Sequence, residues 1–403
     1  MIRLATIGTS AIASSLLDAL AEVEGASFVG TLSRDPERAA AFTAKHHGTR
    51  PFTSLGELAA CADVDAVYIG TPNALHCPQA LACIAGGKHV LVEKPFCANE
   101  RQAREVFAVA EAAGVVALEA MRPLHDPAFH ALKDVIAELG TVRRATLRFG
   151  KYSSRYDEIL AGHRTNIFDC AMASGSLMDI GIYTVEPLIE LFGTPQRICA
   201  SAVLLNEQSR GLTGGALDGA GVIMASYPDM VATLQHSKIT NDLASSQIEG
   251  ELGTLTIEGI SAPSAARLDL RVANTGGDAV GYSGTQTSTR AIELPHSNNT
   301  MTYELADFTR SIEATRAGAQ PFEAPAGTFG TVAHFRDVSL ASLALMDEAR
   351  RQTGVSFPAD NADAGGGTVQ MEIQGPLQAL AAHLERIHSC CVRFGNRIWL
   401  EHS

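Results

Sequence analysis

Residues 1–121 alternate short β-rich runs with amphipathic helical patterns, and that rhythm admits few architectures. Strands that each need a helix before the next one belong in a parallel sheet. Ile2 to Ile7 reads as the first strand, and after Gly8-Thr9-Ser10 the apolar residues Ala13, Leu16, Leu17 and Leu20 recur at helical spacing. Ser27 to Leu32 reads as a second strand. Asp35-Pro36 then supplies an N-cap and a first-turn proline for a helix to about His46, and Ser54-x-x-Glu57 is a capping box. Val64 to Ile69, His89 to Val92 and Val115 to Leu118 continue the strands, with helices over about Ala74 to Ala85 and Glu100 to Ala113 between them. The expected product is an α/β domain with an open, doubly wound parallel sheet.

The rhythm changes at Met121 to Pro127. Asp126-Pro127 opens a helix with Phe129, Leu132, Ile136 and Leu139 on one face, closed by Gly140. Strand patterns then predominate: Val142 to Phe149, Ile198 to Leu205, Val222 to Tyr227, Val231 to Ser237, Gln247 to Glu251, Thr254 to Glu258 and Leu268 to Val272. Connections such as Tyr227-Pro228-Asp229-Met230 and Glu251-Leu252-Gly253 are too short for parallel crossovers, so residues 122–358 should form an α+β domain on a large, mainly antiparallel open sheet. Two helices close it, one through Leu305, Phe308 and Ile312, the other from about Phe329 to Arg351. Residues 359–403 begin as a Gly-rich linker and continue as a tail with strand-like runs at Val369 to Ile373 and Val392 to Leu400 and a helical run at Leu377 to His388.

Composition excludes several function classes. Of 403 residues, 46% are hydrophobic and 19% charged, which suits ordinary cores and not a disordered chain. The net charge of −13 argues against nucleic acid, whose phosphates call for clustered Lys and Arg. No apolar stretch is long enough to span a bilayer and Met1 runs straight into a strand, so no membrane is expected and the chain reads as cytoplasmic. The eight cysteines show no paired spacing and are expected reduced and mostly buried; the histidines lack metal-ligand spacing, and no metal is expected.

Four segments can carry chemistry. Gly8-Thr9-Ser10-Ala11-Ile12-Ala13 follows a strand and opens a helix, a place where backbone N–H groups hold a pyrophosphate; a plain tight turn is the competing reading, because Ser10 stands where the dinucleotide fingerprint has its second glycine. At the end of the second strand an NAD site wants an acid for the ribose 2′-hydroxyl. This chain has Leu32-Ser33-Arg34, with Arg38 one turn on, and a hydroxyl with guanidinium groups suits the 2′-phosphate of NADP, NAD remaining the alternative. Glu93-Lys94-Pro95 lies at the C-terminal end of a central strand, where ligands bind in such sheets; Lys94 can donate to a substrate hydroxyl, and a lowered pKa would let it relay protons. Asp179 and Tyr183 stand four residues apart in an apolar helical stretch, and Pro187 removes the N–H that would bond the Tyr183 carbonyl.

Together these segments resemble the Gfo/Idh/MocA oxidoreductase family from Ile2 to about Pro358. Glu93-Lys94-Pro95 and Gly175-Ser176-Leu177-Met178-Asp179-Ile180-Gly181-Ile182-Tyr183 carry the likeness, and Thr71-Pro72-Asn73-x-x-His76 matches a family pattern beside the nicotinamide. The resemblance implies a Rossmann domain with NADP across it, touching Thr71, Pro72, Asn73, His76, Glu93 and Lys94 besides the first turn. It implies a sugar, polyol or trans-dihydrodiol between the two domains. Lys94, preceding a typically cis Pro95, would orient the substrate hydroxyl, Asp179 would assist, and Tyr183 would be the acid/base, as in the dihydrodiol dehydrogenase and glucose-fructose oxidoreductase branches. Arg122, Lys151, Tyr152, Arg155, Tyr156 and Asn166 surround the expected cleft, with a structural surface loop as the equal alternative for the segment 151–157. A homodimer or homotetramer through the open sheet face is also implied. A non-catalytic nucleotide-binding regulatory protein and a redox-assisted NAD-dependent glycosidase share the fold; the presence of Lys94, Asp179 and Tyr183 favours the dehydrogenase over the first, and Ser33 with Arg34 disfavours the second.

Overall fold

The computed structural model describes residues 1–205, 211–272 and 287–361. The linker and tail expectations from 362 onward lie outside the described residues.

β1 (Ile2–Ile7), β2 (Ala26–Leu32), β3 (Ala66–Ile69), β4 (His89–Glu93) and β5 (Ala117–Ala120) form a five-stranded sheet in the order β2-β1-β3-β4-β5, with every pairing parallel. β3, β4 and β5 are buried almost throughout, as strands covered on both faces must be. The connecting helices are α1 (Ala11–Leu20), α2 (Pro36–Lys45), α3 (Leu55–Ala60), α4 (His76–Ala85) and α5 (Glu100–Ala113). Their starts follow the side chains that cap them: Ser10 accepts from the Ala13 N–H, Asp35 from Glu37 and Arg38, Ser54 from Glu57 and Asn99 from Gln102.

After α6 (Arg122–His125) and α7 (Pro127–Ala137) comes the second sheet, eight strands in the order β13-β12-β11-β10-β6-β9-β8-β7. All neighbours are antiparallel except β6 (Val142–Gly150) with β9 (Val231–Ser237), which are not consecutive in the chain and so are free to run the same way. β7 is Arg197–Leu204, β8 Asp218–Ser226, β10 Ser246–Gly250, β11 Gly253–Glu258, β12 Ala265–Arg271 and β13 Thr287–Ile292. β13 has no counterpart in the sequence reading, because it is an exposed edge strand with no apolar alternation. The segment 151–157, which reads equally as a donor-rich ligand-facing stretch or a structural surface loop, runs into α8 (Ser154–Leu160), capped by Ser153 and anchored by buried Ile159.

Two long helices bind the halves together. Met301–Arg316 packs on α1, α6 and β5, and Val332–Thr353 packs on α5, β5, β7 and α9 (Ile182–Phe192). The turn after β4 is joined to the segment that opens α9 and to the residue after β9 through Lys94, Asp179 and Lys238. Five of the cysteines are buried and unpaired, as expected, whereas Cys199 on edge strand β7 is exposed. No helix among the described residues is long and apolar enough to cross a membrane.

Candidate active site

The turn from β1 into α1 requires its glycine. Gly8 sits at φ +107°, and a Cβ there would lie 2.8 Å from the Gly70 carbonyl oxygen. A side chain would fill the gap between the first and third strand ends, the same place where a dinucleotide's phosphates must approach the backbone. Thr9 leads into Ser10, whose Oγ is the N-cap of α1, so the amides of Ala11 and Ile12 open a ten-residue helix. Ala13, fully buried, takes the position where the fingerprint tolerates Gly or Ala.

At the end of β2, Ser33 Oγ accepts from the Asp35 N–H at 3.2 Å, and the Asp35 carboxylate is spent on capping α2. Arg34 and Arg38 are exposed and make no ion pair among the described residues. Two free guanidinium groups and no acid at the strand end suit a phosphate on the ribose better than a hydroxyl. These residues, with the Gly8 turn, fit a phosphorylated dinucleotide.

The segment 71–76 is held in place from several sides. Thr71 Oγ1 donates to Gln79 at 2.6 Å, and Asn73 Nδ2 donates to the Ala173 carbonyl at 2.7 Å, reaching into the other half of the protein beside Pro72. His76 is fully buried, with Nδ1 3.0 Å from the Pro95 carbonyl oxygen and Nε2 2.8 Å from that of Thr71. Its ring thus braces the turn after β3 against the Lys94-Pro95 turn after β4, whose peptide bond is cis.

Lys94 is the centre of the candidate site. Its Nζ donates to Asp179 Oδ1 at 2.8 Å and to the Asp179 carbonyl at 2.9 Å, and lies 4.9 Å from the centroid of the Tyr183 ring. Glu93, behind it, accepts from the buried Tyr68 hydroxyl at 2.6 Å. Burial alone would lower the Lys94 pKa; Asp179, then Tyr183 and Glu93, outweigh it and hold the ammonium form above its ordinary range. That direction is opposite to the lowered pKa under which Lys94 would relay protons, and it favours the ammonium form, a hydrogen-bond donor. Burial works on Asp179 in the same contrary way, and two lysines overcome it, holding the carboxyl well below its usual range.

The second of those lysines is Lys238, just past β9, whose Nζ binds Asp179 Oδ2 from inside the protein. Lys238 is not among the residues singled out from the sequence. A usable signal was present, because Lys238 follows the C-terminal end of a strand as Lys94 does, but the pairing of β9 beside β6 could not be read locally.

Asp179 and Tyr183 do not share the plain helical face that their spacing predicts. Residues Leu177–Gly181 form a π-helical turn that runs into α9. Its entry needs Gly175, at φ +119°, where a Cβ would meet Asp218 Oδ1 at 2.4 Å; Asp218 Oδ2 in turn accepts the Leu177 N–H at 2.6 Å. The wider turn still brings both side chains to Lys94, a use of π-turns common at functional sites. Tyr183 packs edge-on against Phe149, and Arg122 Nη2 approaches its hydroxyl at 3.5 Å.

The other substrate candidates are spread around the rim. Tyr156 lies between the rings of Tyr152 and Phe168, Tyr152 donates to Asp157, and Lys151, Arg155 and Asn166 are exposed. Among the described residues no group of His, Cys, Asp and Glu is arranged to hold a metal ion.

Residues 2–120 match the oxidoreductase family with an NAD-binding Rossmann fold, and residues 129–256 match the GFO/IDH/MocA C-terminal domain. The chain is 37% identical over 365 residues to the scyllo-inositol 2-dehydrogenase (NADP(+)) IolU of Bacillus subtilis, covering 90% of this chain and 100% of that one. It is 36% identical over 176 residues to the bovine trans-1,2-dihydrobenzene-1,2-diol dehydrogenase, covering 43% of this chain and 50% of that one. The fold is shared with KijD10, a 3-ketoreductase from Actinomadura kijaniata solved with NADP and TDP-benzene, at a TM-score of 0.72, 23% identity and coverage of 87% and 98%. The parallel sheet with its glycine turn, the antiparallel sheet beside it and these matches lead to one conclusion: the chain belongs to the Gfo/Idh/MocA oxidoreductase family.

Proposed function

We propose that this protein is an NADP-dependent dehydrogenase or reductase acting on a CH–OH group of a sugar, polyol or trans-dihydrodiol. The observation that carries the reading is the Lys94 ammonium held by Asp179 against the face of Tyr183, between the two sheets. NADP, when bound, supplies or takes up the hydride. Lys94 uses two contacts on Asp179 and keeps a third N–H for the substrate oxygen. In reduction the Tyr183 hydroxyl gives its proton to that oxygen as the C–H bond forms; in oxidation the same oxygen atom of Tyr183 takes it back. Arg122, Tyr156, Lys151 and Asn166 are assigned to the remaining hydroxyls, and Ser33, Arg34 and Arg38 to the 2′-phosphate. The names of the relatives support the substrate class and the cofactor.

The exposed apolar residues Val203, Val222, Met224 and Val231 cluster on β7, β8 and β9 of the larger sheet. We assign the expected homodimer or homotetramer to that face.

The reading is tested by titrating the protein with NADPH and NADH, followed by fluorescence, and then by offering scyllo-inositol, sugars and a trans-dihydrodiol with NADP+. Tighter NADPH binding and a substrate-dependent reduction lost in Lys94→Ala are expected. Failure to bind either nucleotide, or a reduction untouched by Lys94→Ala, would overturn it.

A further inference from the structure

Four glutamates are buried around the turn that carries Lys94: Glu93, Glu119, Glu186 and Glu304. Two of them are adjacent and belong to different halves of the protein. Glu119, on β5, accepts the Phe96 N–H on Oε1 at 2.7 Å, two residues beyond Lys94. Glu186, on α9, stands three residues after Tyr183 and within hydrogen-bonding reach of Glu119. Glu119 Oε2 and both oxygens of Glu186 meet no N–H or O–H donor among the described residues.

Apart from Ser339 beside Glu119, the neighbours do not relieve them. Lys94 is committed to Asp179, Glu93 to Tyr68, and Glu190, one turn further along α9, to Lys133 and His334. The Ser339 hydroxyl on the helix Val332–Thr353 lies beside Glu119 and not Glu186. Two buried carboxyl groups side by side resist joint ionisation, and one proton between them bonds Glu119 Oε2 to an oxygen of Glu186.

We propose that Glu119 and Glu186 share a single proton, and that this bond keeps the turn carrying Lys94 in register with the helix carrying Tyr183. Both are positioning residues; the inference rests on the reading that Lys94 and Tyr183 act on one substrate oxygen. Burial pushes Glu119 up to about 7 and raises Glu186 well above its ordinary range, so the pair keeps a proton near neutrality. Raising the pH withdraws it, and the repulsion that follows loosens Phe96, and Lys94 with it, from α9.

Glu186→Gln and Glu186→Ala separate the possibilities. Glutamine keeps an N–H directed at Glu119 at every pH, and alanine removes it. Amide hydrogen exchange of the peptide 93–99 in the whole protein reads the anchor directly. Turnover of scyllo-inositol with NADP+ reads its effect on the site. At pH 7 the alanine variant should exchange the Phe96 amide about tenfold faster than wild type and lose kcat more than it raises KM, while the glutamine variant matches wild type. As the pH rises above neutrality the exchange ratio of wild type to the glutamine variant should climb. Wild-type protection in the alanine variant, equal damage from glutamine and alanine, or a flat ratio with pH would each overturn the shared proton. A wild type that binds no nucleotide and turns over nothing defeats the proposed function instead, and the exchange series still decides this inference.

Discussion

Lys94 and Asp179 meet twice, through the carboxylate oxygen at 2.8 Å and the main-chain carbonyl at 2.9 Å. Two contacts on one residue fix the direction of the ammonium as well as its position. They join the end of β4 to the π-helical turn of the other half of the protein. In the proposed function the charge belongs to Lys94 and the transferable proton to the hydroxyl of Tyr183.

Removing the ammonium should cost turnover and spare nucleotide binding. Lys94→Ala is expected to lower kcat/KM by roughly a hundredfold or more, the range for a positioned donor to a reacting oxygen, with the NADPH dissociation constant unchanged by fluorescence titration. Lys94→Arg should recover little, since a planar guanidinium cannot make both Asp179 contacts from the same place.

Asp179 holds the Lys94 pKa up, so its removal should bring Lys94 into an observable range. In Asp179→Asn the ammonium loses its carboxylate, its pKa falls, and kcat/KM should decline toward alkaline pH earlier than in wild type. Lys238 is left without its partner in the same variant. Lys238→Met, which leaves the Lys94 contact in place, should give a smaller loss of kcat than Asp179→Asn and keep the wild-type alkaline limb. pH–rate profiles of the three proteins decide this; coincident limbs in wild type and Asp179→Asn would refute the electrostatic account.

Where local signals were strong, the chain was readable. Asp35, Ser54 and Asp126 each cap the helix expected of them, and Lys94 stands at the strand end where it was placed. What escaped depends on contacts between distant segments. The π-turn is shaped by Asp218, some forty residues downstream of Leu177. Lys238 reaches Asp179 only because β9 lies beside β6. Glu186 is one polar residue in an apolar stretch of helix, and its meaning appears only when Glu119 arrives from the first sheet. β13 carries no apolar alternation, so nothing local marks it as a strand.

Cofactor choice should rest on the end of β2. Arg34→Ala is expected to weaken NADPH binding by about tenfold or more, the cost of one charge-assisted contact to phosphate, and to leave NADH binding within a factor of about two. The NADPH affinity of wild type should also fall with added salt more steeply than that of the variant, because both arginines are exposed. Equal losses for the two nucleotides would show that Arg34 does not read the 2′-phosphate.

The open sheet face makes its own prediction. Val222 lies across from Ser201 and Gln235, and Met224 from Cys199 and Thr233, so the two apolar side chains stand together on the exposed side of β8. A carboxylate at each, Val222→Glu with Met224→Glu, should dissociate the oligomer, read by light scattering, without unfolding the monomer, because neither side chain reaches the core. A wild-type protein that scatters as a monomer at high concentration would remove the assignment.

Acid should destabilise the protein through histidines that are held neutral. His89 accepts the Val116 N–H on Nδ1 at 2.9 Å, a bond that joins the start of β4 to the segment before β5 and that a proton on Nδ1 would break. Burial, reinforced by the nearby Arg316, lowers its pKa to about 4. In the unfolded chain the same ring titrates near ~6.5. As the pH falls through the interval between these values, the unfolded state binds a proton that the folded state refuses. The contribution is therefore complete above the unfolded value and lost by the folded one. His130 and His236, lowered by burial to about 4 and about 3, add to the same loss. In His89→Asn the amide oxygen can accept the Val116 N–H without titrating. Its melting temperature should sit at or slightly below wild type at pH 7.5 and move up relative to wild type, by a few degrees, at pH 4.5. Parallel melting curves across that range would mean that His89 is protonated in the folded protein and that its bond to Val116 does not form as described.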